Sequence, residues 1–170
     1  MKYDPHRHHR RSIRLKDYDY SQTGWYYVTL VVQNRECLLG KVVNDSMELS
    51  APGKIAKNNW LKIPYLRPNI GLDEFIIMPN HFHGIVIING NLNVRATDSV
   101  APTLRANSLG SILGQFKSAS TKEIQKSHIS RFKWQRNYWE RVIRDEAELN
   151  RIRKYIIENP INWNKDKEYQ

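Results

Sequence analysis

The sequence predicts an α+β domain, an antiparallel sheet backed by helices. Strand-sized apolar runs rich in β-branched and aromatic residues alternate with stretches of helical period. Turn and cap residues separate them. The 170 residues are the length of one domain, enough to bury a core without disulfides or structural zinc. The lone cysteine, Cys37, excludes an internal disulfide framework and a cysteine-based zinc finger, and fits a reducing cytoplasm. The longest apolar runs, Val28–Val32 and Ile85–Ile88, are strand-sized and far short of the roughly 18 residues that span a bilayer. No membrane partner is expected, and the N-terminus lacks the apolar core of a secretory signal.

Residues 1–20 read as a basic arm. The first sixteen hold six Lys/Arg, three His and one acid, too polar to pack. Such an arm is either a solvated tail or a clamp on a phosphate backbone, and the arginine bias favours the clamp. Trp25–Gln33 is apolar on both faces, a central strand. Lys41–Val43 and Met47–Leu49 flank Asn44-Asp45-Ser46, a hairpin signal. Ser50 caps a helix beginning at Ala51-Pro52 and stopping before Pro64 or Pro68. Leu72–Met78 and Phe82–Ile88 are core strands joined through Pro79-Asn80, an antiparallel pair. Asn89–Asn107 is a long surface loop.

Ser108 then caps a helix with Leu109, Ile112, Leu113, Phe116, Ala119 and Ile124 on one stripe. Within it, Gly110-Ser111-Ile112-Leu113-Gly114 is no phosphate loop; its glycines are expected to let the helix pack closely. Arg131–Arg144 carries Trp134, Tyr138, Trp139, Val142 and Ile143 and reads as a strand. Asp145, with Glu148 three residues on, is a capping-box variant opening a last helix that runs to about Asn159 and ends at Pro160. The order is β, hairpin, α, β, β, α, β, α without repeats. That places one ferredoxin-like, split-βαβ domain over residues 21–165, followed by a polar tail at 166–170.

Charge narrows the function. The chain has 27 Lys+Arg against 17 Asp+Glu, a net +10, which points to a polyanionic partner, nucleic acid first. Five Trp and nine Tyr add stacking surfaces, with Trp25, Tyr26, Trp134 and Trp139 as candidates. Chemistry concentrates in Pro79-Asn80-His81-Phe82-His83-Gly84. His81 and His83, two apart on a strand, share a face and can share one metal ion. Two imidazoles need a third ligand and leave positions open for substrate. Alone, the pattern equally fits two structural histidines. Gly84 permits close approach of a ligand or a helix. On the last helix, Leu149, Ile152 and Ile156 form the buried stripe, while Arg151, Tyr155 and Asn159 lie four apart beside it. The Asn159 carbonyl suits Mg²⁺ or Mn²⁺. Its plainer role is a helix C-cap before Pro160, and Tyr155 alone is an ordinary boundary residue.

Three segments together resemble a known family. His81-Phe82-His83, the stretch Trp134-Gln135-Arg136-Asn137-Tyr138-Trp139-Glu140-Arg141-Val142-Ile143-Arg144-Asp145-Glu146, and Tyr155-Ile156-Ile157-Glu158-Asn159-Pro160 resemble the single-tyrosine HUH transposases, in the branch of REP-associated tyrosine transposases. The resemblance runs from about His9 to about Trp163, with the motifs in order at compatible spacing. It implies an HUH nuclease fold. It also implies a divalent metal, Mg²⁺ or Mn²⁺, on His81 and His83, and a nucleophilic Tyr155 with Asn159 one turn on as a further ligand. The implied substrate is single-stranded, hairpin-forming repeat DNA, cleaved and rejoined through a 5′-phosphotyrosine. Arg10, Arg11, Arg14, Arg136, Arg141 and Arg151 are then candidate DNA contacts. Tyr138 is the alternative nucleophile, set second because no metal-binding side chain lies one helical turn away. A DNA partner would put the protein at the nucleoid, as a monomer or a homodimer. The alternative reading is a non-catalytic nucleic-acid-binding protein of the same descent.

Overall fold

The computed structural model describes residues 18–90, 107–127 and 129–165. The arm with Arg10, Arg11 and Arg14, most of the expected 89–107 loop and the 166–170 tail lie outside the described residues. The strand β1 (Gly24–Val31) is followed by a short hairpin, β2 (Gly40–Val43) and β3 (Ser46–Leu49). Then come α1 (Ala51–Leu61), the one-turn α2 (Ile63–Leu66), β4 (Ile70–Ile77) and β5 (His81–Ile88). After these, α3 (Leu109–Ser127), β6 (Trp139–Ile143) and α4 (Glu146–Glu158) complete the set. The main sheet has the order β4-β5-β1-β6, with every pairing antiparallel. Because β5 lies between β1 and β4, the βαβ unit is split, as the sequence predicts.

Period-two alternation sends the two faces of this sheet to different helices. Tyr26, Val28 and Leu30 of β1 and Phe82, Val86 and Ile88 of β5 bury one face, with Trp60 of α1 and Ile112, Leu113 and Phe116 of α3. On the other face Ile85 and Ile143 pack against Leu149 and Ile156 of α4. The three longer helices, α1, α3 and α4, each start on a side-chain cap, which satisfies an otherwise orphaned amide. Ser50 Oγ accepts from Gly53 N at 3.2 Å, and Ser108 Oγ from Ser111 N at 3.3 Å. Asp145 accepts from Glu148 N at 2.7 Å, while the Glu148 carboxylate reaches back to Arg144 N at 3.0 Å. That amide and Arg141 hold the Glu148 carboxyl below its ordinary range.

Gly84 faces the α1 side, so it is the helix and not a ligand that comes close. A Cβ there would lie 2.8 Å from Cε1 and Cζ of Phe82 and 2.8 Å from Cζ2 of Trp60. All three residues are buried in a packed aromatic cluster, with the Trp60 and Phe82 rings 4.5 Å apart. Gly84→Ala is therefore expected to destabilise the fold by about 1–3 kcal/mol, read as a lower midpoint in urea unfolding.

The structure departs from the sequence reading at three places. The expected strand over Arg131–Arg144 is paired only at Trp139–Ile143, apart from a lone bridge between Trp134 and Val32. Residues before it are held by side chains of α3 instead. Gln125 Nε2 donates to Phe132 O at 2.8 Å, Lys117 Nζ to the carbonyls of Gln135 and Arg136, and Trp134 Nε1 to Ser120 Oγ at 3.0 Å. Burial drops the Lys117 ammonium pKa to about 8. On α3 the stripe turns on Ser120 and leaves Ala119 exposed. Ser120 tolerates burial because its hydroxyl donates to Phe116 O at 2.7 Å while accepting from Trp134. Finally, Gly114 does not serve close packing, since a Cβ there meets nothing within 4 Å. Gly114→Ala should stabilise the protein by about 0.5–1 kcal/mol, raising the thermal midpoint, because it removes backbone entropy from an exposed helix interior.

Candidate active site

The alternation that buries Phe82 turns His81 and His83 to the α4 face. Both imidazoles are buried, with ring centroids 4.5 Å apart. Each is fixed through Nδ1. His81 Nδ1 lies 2.8 Å from Oδ1 of the buried Asn80, so Nδ1–H donates and the lone pair stays on Nε2. His83 Nδ1 lies 2.7 Å from Tyr27 Oη and 2.9 Å from Thr29 Oγ1. Thr29 is the register partner of His83 across β1 and β5. Burial, with a further contribution from His81, pushes the His83 pKa well below the ordinary imidazole range, so the ring is neutral at pH 7. Its Nε2 is buried without a hydrogen-bond partner.

Helix α4 brings the rest. The Tyr155 ring packs edge-on to His83 at 5.3 Å and to Tyr27 at 6.4 Å, yet it remains 48% exposed. A ring that packs against the His83 imidazole and still meets solvent can reach an incoming substrate. Asn159, one turn on, caps the helix and is buried, with an Oδ1 that has no hydrogen-bond partner. Trp163, in the turn after Pro160, packs 5.8 Å from His81. The helix is pinned at both ends of this path. Arg153 grips Asp73 of β4 with two bonds of 2.8 and 2.6 Å, which hold the Asp73 carboxyl below its usual range. Glu148 binds Arg141 of β6.

Among the described residues no group of three or more His, Cys, Asp or Glu is placed to hold one metal ion. The donors that fit a divalent cation are therefore the two buried imidazoles and an amide oxygen. A buried, unbonded Nε2 and a buried, unbonded Oδ1 are costly unless something binds them. That is the donor set of an open site rather than a closed structural one.

The remaining candidates fall elsewhere. Tyr138 packs against the core on the opposite sheet face. Arg136 is exposed, on the segment gripped by Lys117. Arg141 and Arg151 line a cleft of about 510 Å³ at the β6 edge together with Tyr20, Arg144 and Glu148. Sequence reasoning missed Tyr27, Thr29 and Asn80 as supports of the histidines, and Trp163 beside them. Asn80 adjoins His81, a signal available in advance. Tyr27 and Thr29 become neighbours of His83 only through the β1–β5 register.

No helix among the described residues is long and apolar enough to cross a membrane. No protein-family model matches the chain. An uncharacterized protein of Haemophilus influenzae is 42% identical over 176 aligned positions, spanning 99% of this chain and 97% of that protein. Among solved structures, that of a REP-associated tyrosine transposase bound to a REP hairpin matches with a TM-score of 0.63 at 19% identity, over 92% of this chain and 77% of that one. The chain belongs to one family with the Haemophilus influenzae protein, and its fold is that of the REP-associated tyrosine transposase.

Proposed function

We propose that the protein is a DNA strand transferase and nickase that cleaves and rejoins single-stranded, hairpin-forming repeat DNA by tyrosine attack. The observation that carries this reading is the Tyr155 ring set against His83 and half open to solvent, at a pair of buried imidazoles. A fold shared with a transposase bound to a hairpin and a net charge of +10 support it. His81, His83 and Asn159 would hold Mg²⁺ or Mn²⁺. When bound, that ion would neutralise and orient the scissile phosphate.

The chain's own groups do the rest. Asn80 Oδ1 accepts from His81 Nδ1–H and so leaves that ring a lone pair on Nε2, while Tyr27 and Thr29 hold the His83 ring in place through its Nδ1. Tyr155 Oη attacks phosphorus and the P–O3′ bond breaks. The phenolic proton leaves to solvent, and the departing 3′ oxygen takes one up. A 5′-phosphotyrosine and a free 3′-hydroxyl result. A second 3′-hydroxyl can attack the phosphotyrosine, releasing Tyr155 and forming a new phosphodiester. One phosphodiester is exchanged for another, so rejoining requires no nucleotide hydrolysis. A phenol titrates near 10, so the step gains from cations near the ring, and Arg151 and Lys154 lie on the same helix.

The test is incubation with a labelled hairpin oligonucleotide, taken from repeats flanking the gene, with Mn²⁺ or Mg²⁺. The expected result on a denaturing gel is an SDS-stable protein–DNA adduct with a free 3′-hydroxyl fragment, both absent in EDTA. Tight binding with neither product would favour the non-catalytic binding protein.

A further inference from the structure

We propose that Trp139 is the stacking platform for an unpaired base flanking the phosphodiester processed at His81, His83 and Tyr155. The inference rests on the function proposed above and extends it to how the single strand is held.

Of the four aromatics that could stack on bases, Tyr26 and Trp134 are buried in the core. Trp139 is 55% exposed and Trp25 36%. Strand register separates these two. Thr29 of β1 pairs with His83 on one side and with Trp139 on the other. Directly opposed residues share a sheet face, so His83, Thr29 and Trp139 form one row across β5, β1 and β6. Two strand spacings, about 10 Å, separate the ends of that row. Trp25 lies in the row of Ile87 and Ile143, four residues earlier on β1 and towards the buried patch beneath α4. Trp139 thus shares the histidine row, at the edge strand, where the sheet face opens.

The occupant follows from chemistry. An indole face offers stacking to any base whose own face is free, and a duplex stacks its bases on one another, so the row fits a single strand. Charge agrees. Exposed Arg144 adjoins the same edge, and Arg141, two residues on along the same face and shared with Glu148, is exposed beside it, on a chain of net charge +10. Binding of this kind tolerates many sequences and needs no paired stem.

The experiment measures binding of the full-length protein to two sets of oligonucleotides. One set is a blunt hairpin; the other carries the same stem with a 5′ or 3′ single-stranded flank and 2-aminopurine at successive flank positions. Trp139→Ala should weaken binding of one flanked form by about 5- to 140-fold and leave the blunt hairpin within about twofold. The 2-aminopurine quenching at one position should vanish, and Trp139→Phe should restore most of both. Thermal melting should be unchanged, since the side chain stands exposed on an edge strand. Equal losses for flanked and blunt hairpins, no loss for either, or no flank-dependent binding by the wild type would each overturn the proposal. Failure of the two readings is separable. Absence of a covalent adduct with the Trp139 effect intact removes the enzyme and keeps the platform; an adduct without any Trp139 effect does the reverse.

Discussion

Tyr155→Phe is expected to abolish the covalent adduct and to lower strand cleavage by at least about 10³-fold, with hairpin binding within a few-fold of wild type. The substitution removes one oxygen. The edge contacts of the ring with His83 and Tyr27, at centroid distances of 5.3 and 6.4 Å, survive it, so the imidazoles keep their packing. The fold has little to lose, because the side chain is half exposed and α4 is anchored by Leu149, Ile156 and the Arg153–Asp73 pair. Run beside it, Tyr138→Phe should keep the adduct, since that half-buried ring packs against the core on the far side of the sheet. Loss only in Tyr138→Phe would reverse the assignment. Cleavage that persists in Tyr155→Phe without any adduct would mean that water is the nucleophile, and the protein a metal phosphoesterase.

Residues that meet through local periodicity were legible in the sequence. His81 and His83 share a face because a strand repeats every second residue, and Tyr155 and Asn159 because a helix nearly repeats every fourth. The caps at Ser50, Ser108 and Asp145 follow from short polar side chains before apolar periods, and the structure forms all three. What stayed hidden depends on partners distant along the chain. Nothing near Tyr27 or Thr29 says that β1 aligns Thr29 with His83, 54 residues later. The run from Arg131 was misread because its aromatic content is that of a strand. Its carbonyls are instead satisfied by Lys117 and Gln125, and its Trp134 indole by Ser120, all on α3. A propensity records composition, whereas the outcome was decided by which donors the neighbouring helix presents.

Mn²⁺ at about 100 times its dissociation constant should stabilise the wild type by about 2.7 kcal/mol, raising the thermal midpoint, and should leave His81→Ala and His83→Ala unmoved. His83 Nε2 and Asn159 Oδ1 are buried and unbonded, an arrangement that costs stability until an ion satisfies it. At His83 an ion competes with no proton at pH 7, because burial already disfavours charge on that ring. Removing either ring leaves too few donors, so Mn²⁺ affinity by calorimetry should fall more than about 100-fold. Asn80→Ala tests the support rather than the ligand. It frees the His81 ring and its tautomer without deleting a metal-facing nitrogen, so affinity should drop about 10- to 100-fold. Tyr155→Phe should bind Mn²⁺ as the wild type does, which separates ion holding from nucleophilic attack. A wild-type midpoint indifferent to both Mn²⁺ and Mg²⁺ would remove the metal from the proposed reaction. The unbonded Nε2 and Oδ1 would then be a stability cost retained for some other partner.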